Sequence, residues 1–285
     1  MVDTNPLSNC RLAFIGCGVM AEAIIAGLLR KKLVAPEQVV GSHPRQARRE
    51  EMHVKYGIEM FDRNRDAVTE THPQGPDDSS VLVLAVKPQR LRGVLEELKG
   101  SLVKEQLVVS VVAGAKIETI AEELLHASVV RTMPNTPAQI GEGVTAWTAS
   151  GEVNEKQETQ VSAMLEALGK TVRVENERQI DMATALSATG PTYVFLVMEA
   201  LIDAGVHMGF SRHVSAELVH QTILGSVLFA RESHKHPAEL RNMVTSPGGT
   251  SAEAIYQMEK GSLRTVLSKA VWAAYQRAEA LGSKK

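Results

Sequence analysis

Arg11-Leu12-Ala13-Phe14-Ile15-Gly16-Cys17-Gly18-Val19-Met20-Ala21 decides the fold. Its first five residues read as a strand, and its last six form a G-x-G-x-x-A turn. A helix with apolar positions at Ile24, Ile25, Leu28 and Leu29 is predicted to follow over 20–33. Gly16 permits the sharp turn, Gly18 lets the backbone approach a pyrophosphate, and Ala21 keeps helix and strand in contact. The free N–H groups and partial positive charge of the helix start suit an anion. A tight strand-to-helix turn without a ligand is the competing explanation, and the strand and helix flanks weigh against it.

Outward from this turn the same order repeats. Strands are predicted over 39–41, 81–86, 107–112, 129–130, 144–148 and 171–174, and helices over 45–56, 91–98, 117–125 and 155–168. Val81-Leu82-Val83-Leu84-Ala85-Val86 is apolar throughout, as suits a central strand covered on both faces. Alternating strands and crossover helices predict a doubly wound parallel sheet over residues 1–174. Residues 175–285 then carry helical periodicity alone, with helices expected over 180–187, 192–207, 214–232 and 263–281 and a break at Gly190-Pro191. The uncharged run from Met182 to Met198 reads as a buried helix, too short and interrupted for a membrane span. So few residues cannot enclose several such helices, so burial against another subunit is expected.

Composition narrows the function. The 285 residues, about two domains' worth, are 44 % hydrophobic and 22 % charged, which fits a globular chain. A net charge of −2 gives no global attraction to nucleic acid or anionic lipid. Cys10 and Cys17 are too few for a disulfide framework and not spaced for metal. With no signal-like start, a cytoplasmic location is expected, and no metal site.

Other candidate residues follow strand ends. Gly41-Ser42-His43-Pro44-Arg45, with Arg48 and Arg49, places hydroxyl, imidazole and guanidinium groups where a carboxylate would mark NAD specificity. NADPH is therefore favoured, with NADH as the alternative; an exposed loop opening a basic helix is the other explanation. Lys87 and Asn135 point toward the cofactor crevice, or belong to ordinary Pro-containing turns. Ser246-Pro247-Gly248-Gly249-Thr250-Ser251 opens a helix whose free N–H groups and three hydroxyls suit a small carboxylate, unless Thr250 or Ser251 merely caps it. Glu199 with Asp203 reads as a solvated edge, His234 with His236 as a loop, and Cys17 as filler.

The strings Phe14-Ile15-Gly16-Cys17-Gly18-Val19-Met20-Ala21, Ala85-Val86-Lys87-Pro88-Gln89, Met133-Pro134-Asn135-Thr136-Pro137 and Ala188-Thr189-Gly190-Pro191-Thr192-Tyr193 carry a resemblance. Above all, Leu240-Arg241 and Val244-Thr245-Ser246-Pro247-Gly248-Gly249-Thr250 do. Over essentially its whole length the chain resembles the pyrroline-5-carboxylate reductases, which close proline biosynthesis by reducing 1-pyrroline-5-carboxylate to L-proline. The resemblance implies an N-terminal Rossmann-like NADP-binding domain and an all-helical C-terminal dimerisation domain, with interlocked homodimers and often homodecamers. It implies that Ile15, Gly16, Cys17, Gly18, Val19 and Met20 hold the pyrophosphate, Ser42, His43 and Arg45 the 2′-phosphate, and Asn64 the adenosine. Ala85, Val86, Lys87, Pro88, Val111, Val112 and Ala113 would line the nicotinamide side. Ser246, Gly248, Gly249, Thr250 and Ser251 would bind the substrate carboxylate and ring nitrogen, with Ser251 as the catalytic contact.

Two positions depart from that pattern: Ser251 stands where the family usually has Thr, and His234 where some members have Glu. The β-hydroxyacid dehydrogenases are the rival enzyme class, but no Lys occurs between Gly190 and Lys235 to match their catalytic residue. A non-catalytic NADP(H)-binding regulator is the other rival, disfavoured by the intact 246–250 loop.

Overall fold

The computed structural model describes residues 5–75 and 77–282. The first part of the chain runs β1 (Cys10–Ile15), α1 (Val19–Arg30), β2 (Val39–Ser42), α2 (Gln46–Tyr56), β3 (Glu59–Phe61), α3 (Asn64–Glu70) and β4 (Ser79–Leu84). It continues through α4 (Pro88–Leu98), β5 (Leu107–Ser110), α5 (Ile117–Leu124), β6 (Val129–Met133), β7 (Gly143–Ala149), α6 (Glu155–Glu166) and β8 (Gly169–Arg173). These strands make one sheet in the order β3-β2-β1-β4-β5-β6-β7-β8. Successive strand residues face opposite sides. Phe14, Val83 and Val109 pack with Ile24 and Leu28 on one face, while Ile15, Leu82 and Val108 pack with Leu91 and Ile120 on the other. Two-sided burial accounts for the continuous apolar run in β4.

The sheet is not wholly parallel. β7 runs antiparallel to β6, pairing Thr132 with Trp147. The connection 134–142 holds only a 3₁₀ turn and is shorter than the dozen or so residues a parallel crossover needs. β3 and α3 have no counterpart in the sequence pattern: a three-residue strand and a seven-residue helix leave little periodicity to read.

After β8 come α7 (Glu177–Ala183), a π-helical turn (Thr184–Ala188), α8 (Gly190–His207), α9 (Arg212–Ser233), α10 (Pro237–Met243), α11 (Thr250–Lys260) and α12 (Leu263–Gly282). The chain forms two compact units, one reaching Thr189 and including residues from Ala274, the other Gly190–Ala273. The first unit thus extends past residue 174. Ile180 of α7 is fully buried with Met133 and Ala146, and Arg131 of β6 pairs with Glu177 and Asp181 of α7.

The expected break falls at Gly190-Pro191: the π turn ends before Thr189, α8 opens at Gly190, and the first compact unit ends at the same place, although the backbone stays helical through Thr189. Pro191 has no N–H to give the Ser187 carbonyl one turn earlier. The Asn135 side-chain amide donates to that carbonyl instead, at 3.2 Å, and the π turn takes up the register change, with Thr189 N–H donating to Thr184 O. As expected of so few residues, the single chain does not cover this apolar run by itself. Leu186, Phe195 and Leu196 are 67 %, 59 % and 65 % exposed. By length and composition alone this run would suffice to cross a bilayer.

Candidate active site

The strand order reverses between β1 and β4, and open α/β sheets bind ligands beyond the carboxyl ends of strands at such a point. Ile15 at the end of β1 is in register with Ser42 of β2 and Leu84 of β4, so the segments after all three strands converge. They wall a crevice of about 560 Å³ lined by Gly16, Gly18, Ser42, His43, Pro44, Arg45, Asn64, Ala85, Val86 and Lys87. Asp62, Arg90, Val94 and Glu97 complete it.

The glycine turn fits a dinucleotide. Gly16 adopts φ +88°, and a Cβ there would lie 2.6 Å from Val86 Cγ1. At Gly18 no atom lies within 4 Å of the Cβ position, leaving room for a pyrophosphate against the backbone. The Gly16 and Cys17 amides donate to Ser42 O, and the Gly18 amide to Gly16 O. Gly18 is the N-cap of α1 and gives no side-chain cap, so Val19 and Met20 start the helix with amides lacking a partner inside it. Ile15 and Cys17 are buried, and desolvation pushes the Cys17 thiol up to about 12, which leaves it an unreactive filler.

Of the three arginines that follow β2, Arg48 and Arg49 do not line the crevice and are already engaged. Arg48 Nε donates to Cys17 O at 2.9 Å, and its guanidinium pairs with Glu22 and Glu51. Arg49 donates to His43 O and Pro44 O. Arg45 and Arg90, which both line the crevice, form no ion pair among the described residues. His43 Nδ1 accepts the Arg45 amide N–H, and burial, then the Arg45 charge, hold the imidazole below its ordinary value. A neutral ring with Nδ1 accepting keeps its proton on Nε2, a donor for phosphate oxygen. Ser42 is wholly buried and its hydroxyl donates to Asn64 Oδ1 at 2.7 Å.

Glu22 also joins Lys55 and Tyr56, fastening α1 to α2 beside the turn. Although burial opposes ionisation, bonds from Lys55, Arg48 and Tyr56 lower its carboxyl to about 2. A depressed carboxyl stabilises the fold in full above its unfolded value near 4.5, and this contribution disappears as pH falls through about 2. Glu22→Gln is therefore expected to lower Tm at neutral pH and to match the parent near pH 2. A constant offset in acid-titrated thermal melts would refute this.

Lys87 is the exposed N-cap of α4, with Pro88 as first helical residue. Val111, Val112 and Ala113 follow β5, and Val112 is buried. These three and Asn135 do not line the crevice. Asn135 Oδ1 accepts the Val144 amide, so both ends of its side chain already serve the fold. Sequence reasoning passed over Arg90 and Glu97, although Arg90 lies one turn beyond Lys87 on the same helix.

In the second unit, Gly248 adopts φ +68° and Gly249, in extended conformation, is the N-cap of α11. A Cβ at Gly249 would sit 2.5 Å from Ser246 Oγ. Thr250 and Ser251 are the first two helical residues, and neither caps the helix, contrary to the capping alternative. Among the described residues no hydrogen bond occupies the hydroxyls of Ser246, Thr250 or Ser251. Three hydroxyls and two free amides therefore remain for a ligand, a donor-rich nook suited to a carboxylate.

Comparison with known proteins agrees with this division. A family model described as pyrroline-5-carboxylate reductase dimerisation matches residues 177–281, and one described as NADP oxidoreductase, coenzyme F420-dependent, matches 11–114. A pyrroline-5-carboxylate reductase from Synechocystis sp. is 39 % identical over 276 residues, covering 97 % of this chain and 100 % of the relative. The crystal structure of Plasmodium falciparum pyrroline carboxylate reductase with NADP bound superposes with TM-score 0.86 at 31 % identity, covering 97 % of this chain and 99 % of that one. The Coxiella burnetii enzyme gives TM-score 0.84 at 35 % identity, with 97 % and 99 % covered. With a nucleotide crevice at the sheet's switch point and a hydroxyl-rich helix start, matched by relatives along nearly the full length, the chain belongs to the pyrroline-5-carboxylate reductase family.

Proposed function

We propose that the chain transfers a hydride from NADPH to 1-pyrroline-5-carboxylate, yielding L-proline as the final step of proline biosynthesis. The observation that carries this reading is the presence in one chain of a glycine-turn crevice and of a carboxylate-suited helix start whose hydroxyls have no structural task. When bound, the reduced nicotinamide supplies the hydride. Val19 and Met20 amides hold the pyrophosphate, while Arg45 and His43 favour NADPH over NADH. Lys87 and Pro88 border the nicotinamide, with Val111, Val112 and Ala113 behind that side, while Asn135 serves the fold. The Thr250 and Ser251 amides, with Ser246 and Thr250 hydroxyls, bind the substrate carboxylate, and the Ser251 hydroxyl meets the ring nitrogen.

A cyclic iminium is already electrophilic, so the protein's task is to bring donor and acceptor carbons to about 3–3.5 Å rather than to supply a strong acid. No single Lys or His is expected to abolish turnover. NADPH absorbance should fall on adding pyrroline-5-carboxylate and stay constant with 2-hydroxy and 3-hydroxy acids tested as NADP⁺ substrates. Inactivity with the imine, or activity with a hydroxy acid, would reverse the assignment.

The apolar side chains exposed along α8 and α9 lie in the stretch matched by the dimerisation family model. We assign them to a homodimer, with five dimers as the larger assembly, and not to a membrane or nucleic acid. At micromolar concentration the protein should sediment as a dimer or larger; a 30.9 kDa monomer would contradict this. Two buried, unpaired thiols accord with a cytoplasmic setting.

A further inference from the structure

We propose that Glu97 is a positioning residue for the adenosine half of the cofactor, acting through Asn64; this rests on reading the switch-point crevice as the nucleotide site. Glu97 lies on α4, far in sequence from the glycine turn, yet it lines the same crevice as Asn64 and Arg45. Its two carboxylate oxygens accept from one residue: Oε1 from the Asn64 backbone N–H at 3.1 Å, Oε2 from Asn64 Nδ2 at 2.6 Å. On the other side, the Ser42 hydroxyl meets Asn64 Oδ1.

This chain of bonds has one consistent direction. An ionised carboxylate only accepts, so Nδ2 must face Glu97 and Oδ1 must face Ser42. Ser42 then has to donate. An amide whose oxygen and nitrogen could otherwise exchange is locked, and the donor that Asn64 has left is its second Nδ2 hydrogen. Asn64 can therefore offer an N–H to a ribose or phosphate oxygen, and Glu97 fixes that choice. In Glu97→Gln the chain can invert: the introduced amide donates to Asn64 Oδ1, Asn64 Nδ2 donates to Ser42 Oγ, and the fixed donor is lost.

The experiment uses the full chain and two probes. Adenosine 2′,5′-bisphosphate carries the adenosine half alone, and reduced nicotinamide mononucleotide lacks it. Glu97→Gln should raise the Kd of adenosine 2′,5′-bisphosphate roughly tenfold, the size of one charge-assisted hydrogen bond. Turnover with reduced nicotinamide mononucleotide should stay within about twofold of the parent. Asn64→Ala should show the same loss, and the double variant should lose no more than Asn64→Ala alone, since Glu97 acts through Asn64. Unchanged bisphosphate binding in Glu97→Gln overturns the inference, as do multiplying losses in the double variant or equal damage to mononucleotide turnover. A parent protein that binds neither NADPH nor the bisphosphate overturns the crevice assignment itself, a separate result.

Discussion

Arg131→Met is expected to lower the unfolding free energy by about 3–5 kcal/mol, the range for removing one partner of a buried ion pair. Arg131 is 1 % exposed at the middle of β6, and its guanidinium meets Asp181 and Glu177 of α7. Its Nε has no partner, so desolvation is incompletely offset even in the native fold. Glu177 also accepts the Ile117 amide, which makes the arginine the centre of a tie between β6, α7 and α5. Met fills similar volume but leaves the Asp181 carboxylate without its cation. Denaturant unfolding followed by circular dichroism would measure the loss. Arg131→Met combined with Asp181→Leu should recover part of it, because exchanging both partners for apolar groups removes the unpaired charge. A single-variant cost below about 1 kcal/mol would show that water reaches these carboxylates and that the tie contributes little.

Arg131 also shows where reading from sequence stops. Val129-Val130 reads as a strand, but the charge that follows looks like its end; β6 runs on to Met133 because carboxylates about fifty residues later receive that charge. Local pattern carries no information about a partner so distant. The same holds at Glu97, which looks like a solvent-facing helix residue until α3 is brought against it. By contrast, the glycine turn, the central strands and the helix start after 246–249 were legible as structure, because their conformation is set by the backbone and by adjacent residues. The apolar residues of 182–198 were legible as needing cover; what the single chain does not supply is the covering surface.

Ser251→Ala is expected to cut kcat/KM for the imine by roughly 10- to 150-fold, or about 1.5–3 kcal/mol of transition-state binding. The argument begins with what Ser251 does not do. It is the second residue of α11, and the helix is capped by Gly249 without any side-chain bond, so losing the hydroxyl removes no cap. Stability should therefore hold while activity falls. A protonated ring nitrogen presents an N–H⁺, for which the hydroxyl oxygen is an acceptor; once the hydride arrives the nitrogen becomes an amine, and the same hydroxyl can turn to donate. Ala can do neither, and a charged donor left without its acceptor gives the larger end of the range. Ser251→Thr keeps the hydroxyl and should retain activity within a few-fold, which separates the contact from mere volume. Thr250→Val, losing the hydroxyl proposed to bind the carboxylate, should raise KM more than it lowers kcat. If Ser251→Ala turns over normally while Thr250→Val loses kcat, the ring nitrogen is met by Thr250, and the roles of the two neighbouring hydroxyls are exchanged.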